Sequence, residues 1–161
     1  MDPKLIDLAE QINHIFIDED LSIATAESCT GGLLGHILTC VSGASKYFVG
    51  GVIAYSNHIK TMALGVQEQT LIFHGAVSAQ CAREMADGIR TKFATDIGIS
   101  TTGIAGPTGG TPEKPVGLVW IGISTIDETT TFKCQFTGTR DEVKKGTVTE
   151  ALTYLIKRYQ K

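Results

Sequence analysis

No lysine- or arginine-rich block runs through this 161-residue chain apart from Lys144-Lys145 and the tail from Lys157 to Lys161, and its formal net charge is −3. A nucleic-acid surface needs a basic stripe, so no nucleic-acid partner is expected. No apolar run is long enough to span a bilayer, and the start M-D-P-K-L-I-D-L-A-E has neither the basic opening nor the apolar core of a secretion signal. No membrane partner is expected, and a cytoplasmic location is the default. The cysteines at 29, 40, 81 and 134 form no C-x-x-C pair, which argues against a zinc site or a dithiol redox centre. Both glycine-rich nucleotide signatures are missing. There is no G-x-x-x-x-G-K-[ST] and no G-x-G-x-x-G, so neither ATP hydrolysis nor NAD binding is supported.

What is present is an ordinary globular composition, 42% hydrophobic and 19% charged, which predicts a well-filled core. The length leaves no room for a second core, so one domain over residues 1–161 is expected. Periodicity predicts a first helix carrying Leu5, Leu8, Ile12 and Phe16, a buried strand over 21–26, and a second helix over 30–41. A strand over 47–55 follows, with Gly50-Gly51 suggesting a bulge or a close backbone approach. Short helices then carry Ile59 to Leu64, capped by Ser56 or Asn57, and Glu68 to Phe73. Ser78 can cap a long helix to about Thr95. Strands over 97–102, 116–125 and 129–136 complete the sheet, and Thr139 with Glu142 forms a capping box for a last helix to about Tyr159. Alternating strands and helices indicate a layered α/β domain, and the adjacent strand pair after Pro115 makes its sheet mixed.

Three polar, glycine-bearing segments directly follow predicted strands: 27–32, 55–60 and 102–115. If those strands run parallel, the segments meet at the carboxyl rim, where ligands of open α/β sheets bind. Ser28 would stand at a helix start beside unpaired backbone N–H groups, but its hydroxyl needs a base. His14 and His36 fall on helices away from the rim, His74 ends a helix, and His58 is closer but reads as exposed. Lys60 sits five residues after Tyr55, and a desolvated lysine becomes neutral enough to accept a proton. Ser28, Tyr55 and Lys60 therefore form a plausible nucleophile, relay and base. The same residues also suit a helix cap, a packed phenol and a solvated lysine. Cys29 is a competing nucleophile without a histidine partner. Arg140, at the start of the last helix, suits an anion clamp, or is simply balanced by Asp141 and Glu142. The glycine loop 103–115 either approaches a ligand closely or only connects two strands.

Several segments in order carry a resemblance: T-A-E-S-C-T-G-G, G-V-I-A-Y-S-N-H-I-K, H-G-A-V-S, T-G-I-A-G-P-T-G-G and E-K-P-V-G. Together they closely resemble the CinA carboxy-terminal family, the nicotinamide-nucleotide amidases, from about Leu5 to Tyr159. The resemblance implies a three-layer α/β/α sandwich with a mixed, mostly parallel sheet. It implies hydrolysis of the carboxamide of nicotinamide mononucleotide (NMN) to nicotinic acid mononucleotide and ammonia, in pyridine-nucleotide recycling, without metal or cofactor.

By the same resemblance Ser28, Tyr55 and Lys60 are the catalytic set, with backbone N–H groups of Thr30, Gly31 and Gly32 holding the oxyanion. Thr102, Gly103, Ala105, Gly106, Gly109 and Gly110 would line the nucleotide pocket, and Arg140 would hold the phosphate. A homo-oligomer is expected. Many relatives carry an additional amino-terminal pyrophosphatase-type domain, whose activity is not carried over to these residues. The alternative is a non-catalytic nucleotide-binding module with a regulatory or partner-docking role.

Overall fold

Asp2 starts the first helix by accepting from the Lys4 N–H, with proline in the first turn, where its missing N–H costs nothing. The computed structural model describes residues 2–160, and in it this helix, α1, spans Pro3–Asp18. Next come β1 (Ile23–Glu27), α2 (Leu33–Leu38) and β2 (Phe48–Ile53), then α3 (Asn57–Leu64), α4 (Glu68–Phe73) and α5 (Ala79–Phe93). The chain closes with β3 (Ile97–Gly103), β4 (Leu118–Ser124), β5 (Thr129–Gln135) and α6 (Arg140–Tyr159). The expected caps are in place. Ser56 accepts from the Ile59 N–H, Ser78 from the Cys81 N–H, and Thr139 and Glu142 form a complete capping box.

The expected helix over 30–41 is the main departure, because only Leu33–Leu38 is helical. Gly31 and Gly32, at φ 59° and 97°, turn the chain where continuous periodicity predicted helix. At the other end, the Thr39 hydroxyl donates back to the carbonyls of Gly35 and His36, and a short 3-10 turn at Ala44–Lys46 follows.

The sheet order is β2-β1-β3-β4-β5. β1 pairs in parallel with β2 and β3, while β3 with β4 and β4 with β5 are antiparallel. Four strands therefore share one direction and β4 alone opposes them. Both expectations for Gly50-Gly51 are met. The ladder slips between Ile23↔Phe48 and Ala24↔Gly50, and a Cβ on Gly51 would lie 2.2 Å from Thr25 Oγ1.

α1, α2 and α6 cover one face and α5, with α3, the other, giving three α/β/α layers. The larger core lies on the α1/α6 side, where Phe16 meets Tyr47 and Tyr159 edge to face. No described helix is long and apolar enough to cross a membrane. This topology brings the carboxyl ends of β1, β2 and β3 to one rim. It adds the β3–β4 loop, because β4 starts there, and the amino end of α6, because β5 finishes there.

Candidate active site

Ser28 is the first residue beyond β1, and neighbours on both sides hold it. Its N–H donates to Thr101 O at 2.9 Å, and the Ala54 N–H donates to Glu27 O at 2.8 Å, so the parallel ladder continues to the last strand position. The chain then turns sharply through Gly31 and Gly32 into α2.

The anion at that helix start is the protein's own. Buried Glu27 accepts from Thr30 Oγ1 at 2.6 Å, Gly32 N at 3.0 Å and Leu34 N at 3.0 Å on one oxygen, and from Gly35 N at 2.8 Å on the other. The Gly31 N–H donates to Ser28 O. The donors expected to form an oxyanion hole at Gly31 and Gly32 are thus engaged, and neither these glycines nor Thr30 lines the cavity beside Ser28. An acid placed just before S-C-T-G-G was the available signal for this role, since carboxylates favour helix amino termini.

Removing that carboxylate leaves one buried and two part-buried N–H groups of the turn, and the buried Thr30 hydroxyl, without their acceptor. Glu27→Ala should therefore cost about 3 kcal/mol or more and lower the thermal midpoint by roughly 6–12 °C in a calorimetric scan. An unchanged midpoint would contradict this account of the turn.

Lys60 is 1% exposed, although the sequence allowed a solvated surface residue. It lies on the first turns of α3, and helical side chains tilt toward the amino terminus, so it reaches back beneath its own helix to the end of β2. Its Nζ lies 3.0 Å from Ser28 Oγ, 2.9 Å from Ala54 O and 3.2 Å from Tyr55 O. No carboxylate pairs with it among the described residues.

Burial lowers the Lys60 pKa. Ionised Cys81 and Cys29 thiols would raise it, but burial pushes those thiols up to about 11 and about 12. Both are protonated near neutral pH, so desolvation decides the direction. In its neutral form the amine would give its two hydrogens to the two carbonyls and turn its lone pair to the Ser28 hydroxyl.

Tyr55 does not stand between Ser28 and Lys60. Its side chain is 60% exposed, Lys60 touches only its backbone carbonyl, and its hydroxyl accepts from Arg140 Nη2 at 2.5 Å. Arg140 Nη1 donates to Gly106 O at 2.7 Å. Arg140 is the first residue of α6, and its backbone is fixed by the capping box beside it.

These side chains surround a cavity of about 280 Å³, near the lower end of small-molecule sites. Ser28, Tyr55, Lys60, Thr102, Gly103, Ala105, Gly106, Gly109 and Arg140 all line it, as does Cys29; Gly110 does not. Thr102 is buried and donates its hydroxyl to Ala76 O, so it shapes the wall through a neighbour. None of the four histidines lines the cavity. Ala76 and Val77 enter the wall from the turn before α5, a contribution that the motif H-G-A-V-S held without revealing. Among the described residues, no three His, Cys, Asp or Glu side chains gather as a metal-binding group.

The motifs around this cavity are matched by a family model described as the CinA C-terminal domain, over residues 5–159. The chain belongs to the CinA C-terminal domain family. The crystal structure of the competence/damage inducible protein from Agrobacterium tumefaciens superposes at a TM-score of 0.96, with 37% identity over 99% of this chain and 98% of that one. The competence damage-inducible protein A from Klebsiella pneumoniae gives a TM-score of 0.93 at 33% identity, covering 96% of each chain.

Similar CinA-like proteins of Kosmotoga olearia and Gemmatimonas aurantiaca are 48% and 51% identical over 148 and 125 residues. Those alignments cover 92% and 78% of this chain but 36% and 29% of the relatives. The chain thus spans about a third of the length of such relatives, and the CinA C-terminal unit is the part they share.

Proposed function

We propose that this CinA-type domain is a nicotinamide-nucleotide amidase, hydrolysing the carboxamide of NMN with Ser28 as nucleophile and Lys60 as its base. One observation carries the reading: a buried lysine without a counter-ion among the described residues, its amine 3.0 Å from a serine hydroxyl at the strand rim. A lysine in that setting has a proton-accepting role that a surface lysine lacks.

In the reaction, the Ser28 proton passes directly to the neutral Lys60 amine as Oγ attacks the carboxamide carbon. Lys60 then returns the proton to the departing nitrogen, the C–N bond breaks, and ammonia leaves an acyl-serine ester. Water adds to that ester, giving its proton to Lys60. The ester C–O bond breaks, Ser28 recovers a proton, and nicotinic acid mononucleotide is released.

Of the expected oxyanion set, the N–H of Thr30 is without an acceptor among the described residues, but Thr30 does not line the cavity. In the proposed pose the phosphate lies at the mouth of the cavity, where Arg140 presents a guanidinium at the amino end of α6. The side-chain-poor wall of Ala105, Gly106 and Gly109 would lie against the nucleoside.

Incubating the purified protein with NMN should release one ammonia per nicotinic acid mononucleotide formed, and both products are measurable. Saturable NMN binding with no ammonia would instead support the non-catalytic nucleotide-binding module.

A further inference from the structure

The Tyr55 hydroxyl is turned away from the proton-transfer pair and toward the guanidinium. We infer that Tyr55 is a positioning residue for Arg140, which pre-organises the anion site and sets the preference for a phosphorylated substrate over its nucleoside. The inference rests on the amidase reading for the identity of the ligand, but the geometry that motivates it is independent of the chemical step.

A proton relay has to touch both the donor and the acceptor of the proton. Tyr55 meets Lys60 only through its main-chain carbonyl, and Lys60 already contacts Ser28 directly at 3.0 Å. No gap remains for a phenol to bridge. Among the described residues, its one side-chain hydrogen bond is the one it accepts from Arg140 Nη2.

Arg140 is exposed, and a long exposed side chain loses considerable rotamer freedom when a ligand fixes it. Here both terminal nitrogens are already fixed, one on Gly106 O and the other on Tyr55. A guanidinium has five N–H groups, so these two bonds leave the remainder to meet an anion. The two anchors come from different elements, the β3–β4 loop and the turn between β2 and α3. They hold the exposed cation against the cavity wall. An Asp or Glu partner would neutralise the site. A phenol and a carbonyl orient the charge without cancelling it.

The test uses Ser28→Ala protein, so that binding is read without turnover, and titrates it calorimetrically with NMN and with the dephosphorylated nucleoside. Adding Tyr55→Phe should weaken NMN about 5- to 10-fold while changing the nucleoside less than about 2-fold. Adding Tyr55→Phe to Arg140→Ala should change NMN affinity no further, because the phenol acts through the guanidinium. Equal weakening of both ligands, or a Tyr55 effect that adds fully to that of Arg140→Ala, would overturn the inference.

A relay role would appear differently. With Ser28 intact, Tyr55→Phe would then lower kcat on both substrates and displace the acid limb of the rate profile. Failure of the Ser28→Ala protein to bind NMN at all would overturn the nucleotide-site reading and this inference together. NMN turnover with unchanged phosphate preference in Tyr55→Phe would overturn the inference alone.

Discussion

Ser28→Ala is expected to lower ammonia release from NMN on the order of 10⁴-fold while leaving NMN affinity close to that of the intact protein. The expectation follows from how the side chain is held. Its backbone is fixed on both sides by the strand ladder, and among the described residues its Oγ shares one hydrogen bond, with Lys60 Nζ. Truncation therefore removes the attacking atom without disturbing the turn, which Glu27 organises separately.

The rival nucleophile is Cys29, next in the chain and on the same cavity wall. Its thiol is pushed up to about 12 by burial, so the thiolate that attack requires is scarce near neutral pH. Cys29→Ala should accordingly keep activity within about an order of magnitude of the wild type. Loss of activity in Cys29→Ala, with Ser28→Ala still active, would reverse the assignment.

Lys60→Met is expected to be nearly inactive, with ammonia release down on the order of 10³-fold or more, because the replacement keeps the length and removes the base. In the wild type, kcat/KM should rise with pH to a plateau as the amine loses its proton. The midpoint should lie below the ordinary lysine value near 10.5, since burial shifts it downward. Lys60→Met should show low activity without that limb.

The same shift has a signature in stability. Because the folded pKa lies below the unfolded one, the unfolded chain binds more protons between the two values. This group's contribution therefore improves as pH rises through the window just under 10.5. Buried Cys29 and Cys81 and half-buried Cys134, raised to about 12, 11 and 11, act in the opposite sense above the ordinary thiol range. Chemical denaturation of wild type and Lys60→Met across alkaline pH isolates the lysine as the difference between the two curves. A difference that is flat with pH would contradict the lowered pKa of buried Lys60.

Much of the architecture was legible because the physics was local. The helix spacing of Leu5, Leu8, Ile12 and Phe16, the Thr139–Glu142 capping box and the Gly50-Gly51 slip each depend on neighbouring residues, and each is present. Parallel pairing of the first three strands could be stated only as a condition, yet it follows once the intervening helices cross over. The shortened α2 was not legible, because periodicity continues through Gly31-Gly32 while their left-handed backbone breaks the helix.

At the candidate site, residue types were readable and orientations were not. The sequence could not show that Lys60 turns inward, that the Tyr55 hydroxyl crosses to a residue 85 positions away, or that Glu27 already occupies the α2 amino terminus. Those facts depend on contacts between segments distant in the chain, set only when the rim closes.

The most direct measurement is an NMR titration of the Lys60 side-chain nitrogen in the folded protein, assigned by its absence from Lys60→Met. A midpoint well below the ordinary lysine value, coinciding with the acid limb of kcat/KM on NMN, is the predicted result. A midpoint at or above that value in an active protein would contradict a neutral Lys60 as the base for Ser28.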